Sequence, residues 1–149
     1  MNTLLAIDLG VRTGWASYND SGFLSGFGSH NYGSAGRLKK AVYPFLKQFK
    51  NLEFLIIEGG GKLSKYWEYV ATQNSIEVIQ THAHVWRKEL FLQKNITYSY
   101  KMKKHAERTA REIIEKSNLS QPKDLKHDAA EAILIGFWGC LQIGWLANK

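Results

Sequence analysis

Two short apolar runs in this chain each carry a carboxylate at or near the end, with glycine close behind it, and this repeated arrangement strongly constrains the fold. The first run is Thr3 to Leu9, with Asp8 near its end, and the second is Phe54 to Ile57, followed by Glu58 and three glycines. Short apolar runs bounded by glycine are typical of buried strands. Ligands of open α/β sheets bind outside the carboxyl ends of the strands. If the two strands are parallel neighbours, Asp8 and Glu58 meet there.

Further strands and helices follow from hydropathy periodicity and from turn residues. The turn Asn19-Asp20-Ser21-Gly22 lies between two short strands and indicates a hairpin. The predicted strands span residues 3–9, 13–18, 22–28, 53–57 and 76–80, and the predicted helices span 36–50, 65–75, 83–92, 102–117 and 127–146. Three consecutive strands followed by alternating helices and strands indicate the α/β class, with a mixed five-stranded sheet flanked by helices on both faces. A chain of 149 residues is expected to form one domain, residues 1–149.

The most apolar part of the chain is Ala129 to Ala147. A membrane-spanning helix needs about 20 apolar residues with few or no charges. The uncharged part of this stretch, Ala132 to Ala147, has only 16 residues. We therefore predict a buried helix here and no membrane partner.

Two further carboxylates open this last helix. Asp128 and Glu131 are three residues apart, so both project from one face of the first turn. Helix capping offers a second explanation, in which Asp128 or His127 occupies the N-cap and the acids suit the helix dipole. His127 is also an accessory candidate, as a metal ligand or proton shuttle, unless it begins the helix without a chemical role.

The four acids together indicate one kind of chemistry more specifically than any one of them does alone. Carboxylates brought within a few ångströms repel one another and take up protons unless a cation intervenes. Ligation by oxygen alone suits Mg²⁺ or Mn²⁺, and a single cysteine, Cys140, excludes a zinc site built from cysteines. Two such ions about 3.5–4 Å apart can activate a water and stabilise the leaving oxygen of a phosphodiester. The residues assigned both as catalytic groups and as metal ligands are Asp8, Glu58, Asp128 and Glu131.

The net charge of +7 and the pI near 9.5 favour a polyanionic partner, most commonly nucleic acid. Residues 84–111 contain eight basic and two acidic residues, which supply +6 of that total. Such a run is often only a solvated helix face, but its clustering favours a surface that follows phosphates. Tyr66 and Trp67 lie beside lysines after the three glycines, and they would stack on unpaired bases or pack a short helix. The DNA-binding residues predicted in this way are Lys62, Lys65, Tyr66, Trp67, Arg87 and Arg108. A basic protein with an acidic metal site is predicted to be a metal-dependent nuclease.

Three segments resemble the RuvC family of Holliday junction resolvases, within the RNase H-like superfamily. They are Leu4–Ala16 (LLAIDLGVRTGWA), Phe54–Gly60 (FLIIEGG) and His127–Gly136 (HDAAEAILIG). Their order, element type and spacing agree with the family over nearly the whole chain. The chain is most similar to the short members from phages and prophages, which Val85-Trp86-Arg87-Lys88 also resembles. The resemblance implies an RNase H-like fold and a dimeric enzyme that nicks two strands of a four-way junction symmetrically.

The resemblance also assigns residues. The family's four acidic positions match, in chain order, Asp8, Glu58, Asp128 and Glu131. Its DNA-contacting lysines in the helix before the last motif correspond to Lys101, Lys103 and Lys104. The chain departs from the family at Glu131, where Asp is common. It also departs at Gly59-Gly60-Gly61, where members often carry an aromatic that wedges into the junction core. The nearest aromatics here are Tyr66 and Trp67.

A two-fold homodimer is expected, because one acidic cluster can cut only one of two equivalent strands, whereas a symmetric pair presents two sites. The favoured contact is the helix after the glycines, which carries Trp67 and Tyr69. The alternative contact is on the last helix, at Phe137, Trp138, Leu141 and Trp145, unless that helix is wholly core.

Other functions stay open. The segment Asp8–Gly14 also resembles the first phosphate loop of actin-like ATPases and sugar kinases, but those enzymes need two such domains. An RNase H-like nuclease that processes ribosomal RNA precursors shares the fold and some acids, although the Asp128 and Glu131 pair favours the resolvase. A non-catalytic branched-DNA-binding module would not need all four acids. The single cysteine fits a reducing compartment, so we expect a location in the bacterial cytoplasm or a phage-infected cell.

Overall fold

The computed structural model describes the backbone of residues 1–91 and 100–147, and the side chains of residues 1–91 and 104–147. The strands are β1 (Thr3–Asp8), β2 (Arg12–Asn19), β3 (Leu24–Asn31), β4 (Leu52–Glu58) and β5 (Glu77–Thr81). The helices are α1 (Ala35–Lys47), α2 (Lys62–Gln73), α3 (Ala83–Phe91), α4 (Tyr100–Lys116) and α5 (His127–Ile143). Within the described ranges, every predicted strand and helix is confirmed.

The strands form one mixed sheet in the order β3-β2-β1-β4-β5. β1 and β2 pair antiparallel, as do β2 and β3, whereas β4 lies parallel to both β1 and β5. The predicted hairpin joins β2 to β3, where the Gly22 amide donates to the Asn19 carbonyl at 2.9 Å. Gly22 has a φ of 81°, a conformation that glycine adopts without strain.

Helices cover both faces of the sheet, as predicted. Side chains alternate between the faces along each strand, so Leu5 and Ile7 of β1 pack with the buried residues of α1 and α2. Leu4 and Ala6 point the other way and belong to a core shared with α3, α4 and α5. The α/β fold with a mixed sheet between two helical layers is therefore confirmed.

Helix α5 lies directly on the sheet. A Cβ added at Gly136 would come within 2.4 Å of the Tyr18 ring, and one at Gly139 would come within 2.8 Å of Ile56 Cγ1. These two glycines therefore allow the helix to approach β1, β2 and β4 closely. Residues 129–136 are all buried, which confirms the prediction of a buried helix. Within the described ranges, no helix is both long and apolar enough to cross a membrane.

Four predicted boundaries were wrong by three residues, and two of these are the ends of α1 at Lys47 rather than residue 50 and of β3 at Asn31 rather than residue 28. Helix α5 ends at Ile143 rather than at residue 146, because Gly144 adopts the left-handed conformation (φ 84°) that closes helices. Helix α2 begins at Lys62 rather than at residue 65. Its first turn contains only one apolar residue, Leu63, so hydropathy periodicity gives little sign of it.

Candidate active site

Asp8 and Glu58 are the last residues of two parallel neighbouring strands and stand opposite each other in the register of β1 and β4. Their carboxyl groups are close enough to hydrogen-bond, and this contact favours the protonated form of Asp8. Burial raises the pKa of Asp8 to about 8, and the negative charges of Glu58, Glu131 and Asp128 add to the increase. The expected meeting of the two strand acids is confirmed.

Asp128 lies in the first turn of α5, one residue beyond His127. The N-cap is Lys126, whose side chain makes no capping hydrogen bond, so the explanation of His127 or Asp128 as the N-cap is wrong. Asp128 Oδ2 accepts a hydrogen bond from Ser29 Oγ at 2.8 Å, and Oδ1 accepts from the Ala129 amide at 3.1 Å. Its carboxylate is therefore turned toward β3.

The start of α5 reaches the strand ends because β2 carries a glycine at the crossing point. A Cβ at Gly14 would lie 2.0 Å from the carbonyl oxygen of Asp128. Gly14 stands opposite Asp8 in the β1–β2 register. This close approach of backbone to backbone brings the helix acids beside the strand acids.

Glu131 is 5% exposed and has two unequal oxygens. Its Oε1 accepts a hydrogen bond from Arg87 Nη2 at 2.5 Å and lies 3.2 Å from His127 Nε2. Its Oε2 is buried and has no hydrogen-bond partner. Burial raises the pKa of Glu131, opposed by Arg87 and His127 and reinforced by Glu58.

The four carboxylates lie near one another, but they do not already form a set of metal ligands around one point. The negative charges of the other three acids each raise the pKa of Asp8. Within the described ranges, however, no three His, Cys, Asp or Glu side chains already stand as a cation ligand set. Asp128 and Glu131 are instead turned toward Ser29 and Arg87.

The chemistry of the cluster nevertheless suits a hard divalent cation. All four candidate ligands are carboxylates, which Mg²⁺ and Mn²⁺ prefer. Glu131 Oε2 is a buried oxygen without a donor, and Asp8 keeps its proton to an unusually high pH. Glu131 therefore keeps one oxygen without a protein donor, and Asp8 holds a proton where a cation would neutralise its charge.

The residues predicted to bind DNA near the glycines divide into two groups. Lys62 and Lys65 are exposed on the first turn of α2, beyond the carboxyl end of β4. Tyr66 is half-buried, with the Lys39 ammonium 5.7 Å from its ring centre. Trp67 is fully buried and packs edge-on against Phe45, with ring centres 6.2 Å apart. The prediction that Trp67 stacks on bases is therefore wrong, and its packing alternative is confirmed.

The DNA-binding candidates within residues 84–111 also lie at different places in the structure. Arg87 lies against Glu131 at the acidic cluster. Lys104 and Arg108 are exposed on α4 and line a shallow groove of about 350 Å³. The side chains of Lys101 and Lys103 lie outside the described residues.

Two roles at the site were missed in the sequence. Ser29, which donates to Asp128, belongs to no motif, and nothing in its surroundings along the chain distinguishes it from other strand serines. Arg87 was assigned to DNA because it lies in a basic run. Its contact with Glu131 could have been expected, because a buried carboxylate requires a cationic or hydrogen-bonding partner.

No family model matches the sequence, and no curated protein matches it. Solved structures do match the fold. Thermus thermophilus RuvC superposes with a TM-score of 0.68 at 15% identity, over 95% of this chain and 96% of that one. T. thermophilus RuvC in complex with a Holliday junction substrate gives 0.66 at 15% identity, over 97% of each chain. The yeast mitochondrial Holliday junction resolvase Ydc2 gives 0.58 at 14% identity, over 95% of this chain and 81% of that one. The expected RuvC-like, RNase H-like fold is confirmed.

Proposed function

We propose that this protein is a metal-dependent, structure-selective endonuclease that hydrolyses phosphodiester bonds at four-way junctions and related branched DNA. The observation that supports it most is the convergence of four carboxylates from β1, β4 and α5 at the carboxyl edge of the sheet. Structures with this fold include a resolvase bound to a Holliday junction substrate. We further propose that it acts in the cytoplasm of a bacterium or of a phage-infected cell.

The residues that would hold the metal are Asp8, Glu58, Asp128 and Glu131. Bound Mg²⁺, or Mn²⁺ in its place, would supply an activated water and charge stabilisation for the leaving oxygen. Asp8 has to give up its proton before it can act as a ligand. Ser29 fixes the orientation of Asp128, and the exposed Lys62 and Lys65 bind phosphates beside the cluster. His127 Nε2, next to Glu131, is placed to move a proton at the cluster edge.

A symmetric homodimer would present two such sites to the two equivalent strands of a junction. Trp67 is buried within the protomer, so the aromatic contact on α2 is reduced to Tyr69, which is 61% exposed. On α5, Trp138 is 5% exposed and donates to Glu89 Oε2 at 2.5 Å, as expected for a core residue. Light scattering at micromolar concentration should report about 34 kDa, twice the chain mass of 17.0 kDa.

Cleavage of three labelled substrates tests the proposal. They are a four-way junction, a linear duplex of the same sequence and a structured ribosomal RNA precursor, each incubated with Mg²⁺ and with a chelator. The proposal predicts paired nicks in the junction, little cutting of the duplex or RNA, and no cutting with chelator. Preferred cleavage of the RNA would indicate the RNA-processing alternative. Tight junction binding without cleavage in Mg²⁺ or Mn²⁺ would indicate a non-catalytic binding module.

A further inference from the structure

We propose that Arg87 is a positioning residue for Glu131, which holds one carboxylate oxygen on α3 and leaves the other to the cation site. This inference rests on the proposed function, because it assigns a ligand role to Glu131. It replaces the prediction from the basic run that Arg87 is a phosphate contact.

The two oxygens of Glu131 have different surroundings. Both nearby basic side chains approach the same atom, since Arg87 Nη2 lies 2.5 Å and His127 Nε2 lies 3.2 Å from Oε1. The second oxygen, Oε2, is buried without a partner. The charges of Asp8 and Glu58 act on this same carboxylate, which places it beside the strand acids. Oε1 is thus committed to the protein, whereas Oε2 is available for a cation.

The longer side chain of Glu131 explains why its carboxylate needs an anchor. In the resolvase family that the sequence resembles, Asp is common at this position. Glu adds a methylene group and one more rotatable bond, so its carboxylate can adopt more positions. A ligand binds metal well only when neighbouring groups fix its orientation. The contact with Arg87 restricts the longer side chain to one arrangement.

Arg87 is itself held in place, as a positioning residue must be. Its side chain is 24% exposed, and its guanidinium lies 5.1 Å from the ring centre of the buried Trp86. Helix α3 is fastened to α5 by Glu89, whose Oε2 accepts hydrogen bonds from Trp138 Nε1 at 2.5 Å and Gln142 Nε2 at 3.0 Å. The guanidinium therefore belongs to a packed helix pair.

The test measures Mn²⁺ binding through thermal unfolding of the DNA-free protein, since a cation bound only by the folded state raises its stability. Arg87→Met keeps the apolar stem and removes the anchor. It should raise the Mn²⁺ concentration for half-maximal stabilisation by about 10- to 100-fold, the usual effect of losing a group that orients a ligand. Arg87→Lys, which keeps the charge and is the safer variant to fold, should shift it by a smaller factor. Glu89→Ala is the control for helix packing alone, since it leaves the Arg87 side chain itself intact. It loosens the same helix pair, so it should lower the melting temperature without metal and shift the Mn²⁺ midpoint much less than Arg87→Met does.

A double-mutant cycle with Glu131→Asp separates positioning from general damage. The shorter carboxylate cannot reach Arg87 in the same way, so Arg87→Met should have little further effect on the Mn²⁺ midpoint in that background. Equal shifts in both backgrounds would overturn the inference. An unchanged midpoint in both Arg87 variants, with a DNA-binding salt slope lower by about 0.9 in Arg87→Met alone, would make Arg87 a phosphate contact. A wild-type protein that Mn²⁺ does not stabilise would instead overturn the proposed cation site itself.

Discussion

The two strand carboxylates and the two helix carboxylates lie at the same edge of the sheet, but the protein compensates their charges differently. Asp8 and Glu58 are close enough to hydrogen-bond with each other, and burial together with mutual repulsion raises the pKa of Asp8 to about 8. Asp128 and Glu131 have donors from other elements, Ser29 on β3 and Arg87 on α3. The strand pair therefore depends on a proton or a metal ion, whereas the helix pair is already oriented by the protein.

The largest expected effect follows from neutralising any one acid. Asp8→Asn, Glu58→Gln, Asp128→Asn and Glu131→Gln should each lower junction cleavage by at least about 1,000-fold, because metal-assisted charge stabilisation contributes several kcal/mol. Junction binding should persist, because removing a negative charge near phosphates reduces repulsion. Single-turnover cleavage and a binding titration measure the two properties. Glu53→Gln is the control, because Glu53 is exposed on the same strand as Glu58. This variant should cleave the junction at the wild-type rate.

An Asp8, Glu58, Asp128 or Glu131 variant that cuts at nearly the wild-type rate would remove that residue from the site. Equal loss of binding and cleavage would mean that the variant had damaged the fold.

The second prediction concerns the stability of the strand pair without metal. The folded-state pKa of Asp8, about 8, lies above its ordinary value of 3.8. The folded protein therefore binds the proton more tightly, and this contribution to stability is lost as the pH rises from about 4 to about 8. Asp8→Asn should flatten that decline. A relief of about 2 kcal/mol would raise the melting temperature at pH 8 by about 4–8 °C.

Thermal unfolding in chelator between pH 5 and pH 8 measures this effect. Wild-type and Asp8→Asn proteins with parallel pH dependences would show that Asp8 does not keep its proton. Added Mn²⁺ should stabilise the wild type more at pH 8 than at pH 6, because the cation must displace that proton.

A smaller effect is expected when the helix pair loses its support on β3. Ser29→Ala removes the hydroxyl that donates to Asp128 and should weaken Mn²⁺ binding by about 10-fold, at the lower end of the range for such partners. Ser25→Ala is the matched control on the same strand, because its hydroxyl bonds with Ser17 instead. Equal Mn²⁺ midpoints in the two variants would show that Ser29 does not orient a ligand.

The smallest effect is expected at the exposed lysines beside the site. Lys62→Gln together with Lys65→Gln should lower the magnitude of the salt slope of duplex binding by about 1.8, or about 0.9 for each phosphate that is no longer neutralised. The double variant Lys40→Gln and Lys50→Gln, which changes exposed lysines elsewhere, is the control. Equal slopes in the two proteins would place the DNA surface away from α2.

The sequence was most informative where local chemistry and burial agree. Apolar runs stopped by glycine located the ends of β1 and β4, and hence Asp8 and Glu58. It was least informative where a hydrogen bond joins distant parts of the chain, as between Ser29 and Asp128. Trp67 was misassigned because its lysine neighbours suggested DNA, although Val70 and Ala71 follow it at helical spacing and share its buried face.

Anomalous diffraction from a crystal of the DNA-free protein soaked in Mn²⁺ at pH 8 tests the shared acidic site most directly. We expect anomalous density among the carboxylates of Asp8, Glu58, Asp128 and Glu131, with Glu131 Oε2 rather than Oε1 as the ligand and Ser29 still bonded to Asp128. The same soak of Glu58→Gln crystals should lose that density. Manganese bound elsewhere, or density in the wild type that persists unchanged in Glu58→Gln, would contradict a cation site built from all four acids.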